Sequence, residues 1–180
     1  LRVYPYQCTE QIASVALPLI ALYRARLEAA GTGARAAPSA AGAAAAGSPD
    51  DPELERMRRE IASAVRTLSQ RQRPDGGIGY WGVDGWTTPW LSAYAGRVLL
   101  EARAAGIAVE DSVLARLAEY LGRSLRTPDV HRVAVGYWLD DQANRLAERV
   151  AAVDFLSRYG RPDVSAENSL LAGAALLRWE

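Results

Sequence analysis

The chain has 180 residues, 49% of them hydrophobic, with 21 basic residues against 21 acidic ones. That is enough apolar material to bury one domain's core, and the zero net charge offers no strong attraction to nucleic acid or to an anionic membrane. A single cysteine excludes an intrachain disulfide and a cysteine-cluster metal site, and all the basic residues are arginine, so the chain has no lysine amine of its own.

No hydrophobic run is long enough to span a bilayer, and no signal peptide is recognisable. The chain starts at Leu1 and stops within the apolar pattern Leu176-Leu177-Arg178-Trp179-Glu180, so it is expected to be a piece of a larger protein. From Thr9 to about Ala30, Ile12, Val15, Ala16, Leu19, Ile20, Tyr23 and Leu27 recur at three- and four-residue steps, which predicts a buried helical face. Pro18 inside this helix should bend it. Residues 31 to about 51 are rich in Gly, Ala, Ser and Pro and are expected to form a flexible connection without a packed core.

A second helix begins near Pro52, capped by Asp50 or Asp51, with Leu54, Met57, Ile61, Ala64, Val65 and Leu68 on one stripe. It stops at Gln72-Arg73-Pro74-Asp75-Gly76-Gly77, strong turn chemistry, followed by the aromatic and glycine loop Ile78-Gly79-Tyr80-Trp81-Gly82-Val83-Asp84-Gly85-Trp86. Thr87 or Thr88 caps a third helix from Pro89 to about Ala105 that buries Leu91, Tyr94, Ala95, Val98, Leu99 and Ala102. A fourth, Asp111 to about Arg126, carries Val113, Leu114, Leu117, Tyr120 and Leu121. After a mixed stretch, Asp140 to Tyr159 reads as a helix through Leu146, Val150, Val153, Phe155 and Leu156. Ser165 is the expected cap of a last helix through Leu170, Leu171, Ala174 and Leu177. The expected fold is all-α, built of successive helical hairpins.

The chemistry sits at the start. Cys8 and Gln11, at i and i+3 on a turn-to-helix junction, face the same side, so the sulfur can reach the side-chain carbonyl of Gln11. Attack by thiolate with loss of ammonia would leave an intramolecular thioester, a stored acyl group. The plain alternative is a buried thiol beside a capping glutamine.

Cys8-Thr9-Glu10-Gln11 resembles the C-x-E-Q thioester signature of the α2-macroglobulin and complement proteins, and the lead-in Tyr4-Pro5-Tyr6 is similar to their bacterial branch. Gln7 stands where many family members carry glycine. A second block, 72–81 followed by Pro89-Trp90-Leu91-Ser92-Ala93-Tyr94-Ala95, resembles the matching segment of bacterial thioester domains. The likeness runs through nearly all of the chain in order. It implies an α/α toroid of the terpenoid cyclase and prenyltransferase type, of which residues 1–180 would be the N-terminal part. It also implies the thioester domain of a bacterial protease inhibitor that works once, as a covalent trap and not as a turnover enzyme.

In that scheme a protease amine attacks the Gln11 carbonyl, Cys8 leaves as thiolate, and Glu10 beside the ring either polarises it or packs against it. Partners are proteases and the remaining domains of the parent protein, the location is periplasmic, cell-envelope or extracellular, and neither cofactor nor metal is called for. His131 stands at the separation of the histidine that complement-type members use, but no matching motif surrounds it, and it reads as an exposed loop residue. Trp81, Trp86, Trp90 and Tyr94 either shield the thioester or wedge between helices. Two other readings stay open: a toroid scaffold without an active thioester, and part of a toroid enzyme whose site lies elsewhere. Asp140-Asp141-Gln142-Ala143-Asn144 satisfies neither acidic motif of terpene cyclisation, and one Cys with one His does not build the zinc site of prenyl transfer.

Overall fold

The computed structural model describes residues 7–33, 51–127 and 142–174. These form six helices: α1 (Thr9–Gly33), α2 (Pro52–Gln70), α3 (Pro89–Ala104), α4 (Asp111–Arg126), α5 (Gln142–Arg158) and α6 (Val164–Ala174). The fold is all-α, and the described residues hold no strand beyond one isolated antiparallel bridge, Gln72 to Ile78. Helices α1, α3 and α5 pack on one another in sequence order, while α2 lies against α1, α4 against α3 and α5, and α6 against α5.

Local chemistry explains the boundaries. Asp51 caps α2 through Oδ1, which accepts from Glu53 N at 2.9 Å, and Pro52 supplies a first residue that needs no donor. Thr88, not Thr87, caps α3, accepting from Leu91 N at 3.1 Å. The cap of α6 is Asp163, whose Oδ1 accepts from Ala166 N at 3.0 Å, and not the expected Ser165, which lies inside the helix. α1 continues past Ala30 through Gly31-Thr32-Gly33, so the helical backbone takes up the first residues assigned to the connection. Pro18 sits within a helix that runs unbroken.

The core is apolar and continuous: Ile20, Ile61, Leu68, Leu91, Val98, Leu99, Leu114, Leu117, Leu121 and Phe155 are fully buried. Gly96 is what lets α3 close on its neighbours, because a Cβ there would stand 2.6 Å from both Leu117 and Phe155. Four residues read into apolar helix faces are instead exposed: Val15 at 52%, Leu27 at 40%, Val150 at 49% and Leu171 at 72%. Apolar character extends on these helices beyond the surface that their neighbours cover. Arg56, Arg58 and Arg59 of α2 pair with Glu53, Glu55 and Glu60 at exposed positions, where such pairs contribute little.

Candidate functional site

The helix start that organises the site is made by Cys8 and Gln11 themselves. Cys8 precedes α1 and its carbonyl accepts the first helical bond, from Ile12 N at 3.0 Å. Its Sγ accepts from Gln11 N at 3.4 Å, and Gln11 Oε1 accepts from Cys8 N at 3.2 Å. This reciprocal exchange has the form of a capping box, with sulfur in the place of a serine or threonine hydroxyl. Capping and chemistry are therefore one arrangement: the bonds that start the helix bring the thiol and the carboxamide of the i, i+3 pair together. Cys8 is buried at 4% exposure whereas Gln11 is exposed, so the residue that carries the carboxamide faces solvent and the thiol does not. Glu10 is half-buried beside them.

A long-range polar cluster holds this helix start. Thr9, fully buried, donates its N–H to the carbonyl of Tyr80 at 2.8 Å and its hydroxyl to the carbonyl of Gly79 at 2.6 Å. The Arg71 guanidinium reaches the residues on both sides of Cys8. It donates to the carbonyl of Gln7 at 2.7 Å, to Thr9 Oγ1 at 3.0 Å and to the carbonyl of Tyr80 at 3.3 Å. The Arg71 carbonyl in turn accepts from Gly79 N at 2.9 Å. Three such bonds from one cation fix a strand of irregular backbone that no ladder supports.

The 71–88 loop can present these carbonyls because it is itself tied down. Gln72 is buried and donates through Nε2 to the carbonyls of Gly76 at 3.0 Å and Val113 at 2.8 Å. Asp75 Oδ1 accepts from Gly77 N, and the Asp75 carbonyl accepts from Arg123. Gly76 adopts φ +95°, and a Cβ on it would meet the Arg116 carbonyl. At Gly79 the approach is closer still, since a Cβ there would lie 1.9 Å from the Gly82 carbonyl oxygen. On the inner side of the loop, buried Thr87 donates to the Ile78 carbonyl and its hydroxyl meets that of buried Ser92, whose Oγ accepts from Ile78 N.

Tyr80 follows in the same loop. Its ring stacks on Trp86 at 4.4 Å, and Trp81 meets it edge-on at 5.1 Å. The influence of nearby Cys8, then burial and the charge of Glu10, push the Tyr80 phenol up to about 12. Burial pulls the Arg71 guanidinium below its ordinary value while Cys8 acts in the opposite direction. Tyr120, in the core, is pushed up mainly by burial.

Of the other aromatics, Trp81 at 53% and Trp90 at 39% exposure are not wedges between helices, while Trp86 and Tyr94 are half-buried. Trp90 stacks on Tyr94, whose hydroxyl bonds Ser14 Oγ on α1 at 3.1 Å. Tyr4, Tyr6, His131, Asp140 and Asp141 lie outside the described residues. Among the described residues, no three His, Cys, Asp or Glu side chains gather as metal ligands would, and no helix is long and apolar enough to cross a membrane. The motif at 8–11 was legible in sequence. Arg71 was not, because it stands among many arginines and its partners are 62 to 64 residues away.

No family model matches the chain. Alpha-2-macroglobulin of Escherichia coli (strain K12) is 28% identical over 166 residues, which is 92% of this chain and 9% of that protein. The chain thus spans under a tenth of the length of that relative. The crystal structure of Salmonella alpha-2-macroglobulin reacted with methylamine superposes with a TM-score of 0.75 at 25% identity, over 97% of this chain and 10% of the other. Trypsin-activated alpha-2-macroglobulin from Escherichia coli gives a TM-score of 0.72 at 27% identity, over 96% of this chain and 11% of the other.

Proposed function

The chain is a member of the bacterial alpha-2-macroglobulin family, and on that premise we propose that it is the N-terminal part of a thioester domain that traps proteases covalently through a Cys8–Gln11 thioester. The observation that carries the reading is the reciprocal pairing of Cys8 and Gln11 at the head of α1, with the sulfur buried and the glutamine exposed. Further support comes from the relatives, one of them described as trypsin-activated and another as reacted with methylamine.

The alternating packing of α1 to α6 suits the first hairpins of an α/α toroid. In the full-length protein, cleavage by a protease would free the site. An amine of that protease adds to the Gln11 acyl carbon, the carbon–sulfur bond breaks, its electron pair leaves on Cys8, and the amine's surplus proton passes to solvent. A thiolate is a far better leaving group than an alkoxide. The product is an amide at residue 11, so each molecule acts once. Glu10, half-buried at the ring, is assigned to its support.

The test is to incubate the full-length protein with trypsin and sequence any crosslinked peptide by mass spectrometry. A protease lysine joined to residue 11, absent in Cys8→Ala, is expected; inhibition with no crosslink would leave a non-covalent trap. His131 is a bystander in this reading, so His131→Ala should leave methylamine incorporation unchanged. Glycerol incorporation that vanishes in that variant would assign His131 an acyl-transfer role.

A further inference from the structure

We propose that Arg71 is a positioning residue for the thioester: through the Gln7–Cys8 peptide it aims and polarises the Cys8 N–H at the Gln11 carbonyl oxygen, the atom on which negative charge develops when the acyl carbon is attacked. The inference rests on the thioester reading above. Ring closure begins with attack of the Cys8 thiolate on the Gln11 acyl carbon. The carbon–sulfur bond forms and the carbonyl electron pair moves onto Oε1; collapse of that adduct breaks the carbon–nitrogen bond and releases ammonia, which carries off the thiol's proton. Acyl transfer to an amine passes through the same kind of adduct, with the thiolate as leaving group. A donor fixed where the oxyanion forms lowers both barriers, because its bond strengthens as the charge grows.

The Cys8 N–H donates to Gln11 Oε1 at 3.2 Å. The ladder of α1 does not reach this N–H, because the helix begins at Thr9. A trans peptide is planar, with its C=O and N–H pointing in opposite directions, so whatever fixes the Gln7 carbonyl aims the Cys8 N–H. Arg71 does this, donating through one terminal nitrogen to the Gln7 carbonyl at 2.7 Å and through the other to Thr9 Oγ1 at 3.0 Å and the Tyr80 carbonyl at 3.3 Å. Thr9 is itself anchored by its N–H on the Tyr80 carbonyl and its hydroxyl on the Gly79 carbonyl, so the guanidinium is braced against a fixed residue. The cation also draws charge onto the Gln7 oxygen, which makes the N–H at the other end of the same peptide a stronger donor.

The experiment compares the full-length parent with Arg71→Ala, Arg71→Lys and Thr9→Val. Intact mass reads the ammonia deficit, thiol release under methylamine reads the transfer rate, and urea denaturation reads stability. Thr9→Val weakens the attachment of the same loop but leaves the Gln7 carbonyl its donor, so it is the reference for a purely structural loss. Arg71→Ala is expected to lose the ammonia deficit or, where the ring still forms, to transfer about tenfold to a hundredfold more slowly, as misplacing an oxyanion donor does. Thr9→Val should keep the deficit and a rate near the parent's. Arg71→Lys, with one nitrogen in place of a two-armed fork, should fall between them. If Arg71→Ala does not fold, Arg71→Lys carries the test: a rate below that of Thr9→Val supports the proposal, and one equal to it or above overturns it. Arg71→Ala with the deficit intact and the parent rate would also overturn it, as would a faster rate, which is what a merely loosened and more accessible site gives. An equal loss in Thr9→Val would do the same. A parent protein that shows no ammonia deficit and takes up no methylamine would instead remove the thioester reading itself, and this proposal with it.

Discussion

The 71–88 loop and helix α6 invert the usual association of irregular backbone with mobility. In the loop, Gly76, Gly77, Ile78 and Gly79 are buried, and the backbone groups of this stretch find partners in Gln72, Asp75, Thr9 and Ser92. In α6 the backbone is regular, yet Val164 stands 61% and Leu171 72% exposed, and the helix packs mainly on α5. Order at a reactive site therefore comes from satisfied buried polar groups more than from helical geometry. A loop so constrained holds Arg71 against Gln7 and Thr9, the residues on either side of Cys8.

The contrast can be broken most severely from beneath, in the core that both regions share. Leu117 is fully buried, and Leu117→Ala should cost about 3 to 4 kcal/mol in urea denaturation, since the space it leaves cannot fully collapse. Next comes the loop itself. Gly79→Ala places a Cβ against the Gly82 carbonyl, a contact with backbone that cannot swing aside, and should cost about 3 kcal/mol. Only the second of these should also raise the reactivity of Cys8 towards alkylating reagents under native conditions, because it releases the carbonyls that hold Thr9.

Thr9→Val keeps the shape but leaves the buried Gly79 carbonyl without its donor and Arg71 without one acceptor, and should cost about 2 kcal/mol. At the other end of the scale, Leu171→Ser should stay within about 0.5 kcal/mol of the parent, as surface changes do. A loss there as large as at Thr9 would show that α6 is held by more than the described residues reveal, and the contrast drawn above would fail.

What could be read from sequence follows the range of the forces involved. The stripes of α2 and α4, the Asp51 cap and the Pro89 helix start depend on residues within one or two turns, and sequence patterns report such forces well. The Cys8–Gln11 pairing is equally local. Val15, Leu27, Val150 and Leu171 misled because apolar character says that a side chain can be buried, and only the packing partner decides that it is. Arg71 and Tyr80 were silent as site residues because their partners lie across the loop, at separations with no periodicity to betray them. The one available signal was the glycine spacing at 76, 77 and 79, which marks backbone approached too closely for a side chain.

The claim on which the rest depends is that Cys8 and Gln11 join, and intact mass of the full-length protein before and after methylamine tests it most directly. The account expects a protein lighter than its sequence by one ammonia, with Cys8 unreactive to thiol reagents. Methylamine should then add at residue 11 and release one titratable thiol, and Cys8→Ala should show neither change. A full sequence mass, with Cys8 titratable before any amine is added and no label at residue 11, would contradict it.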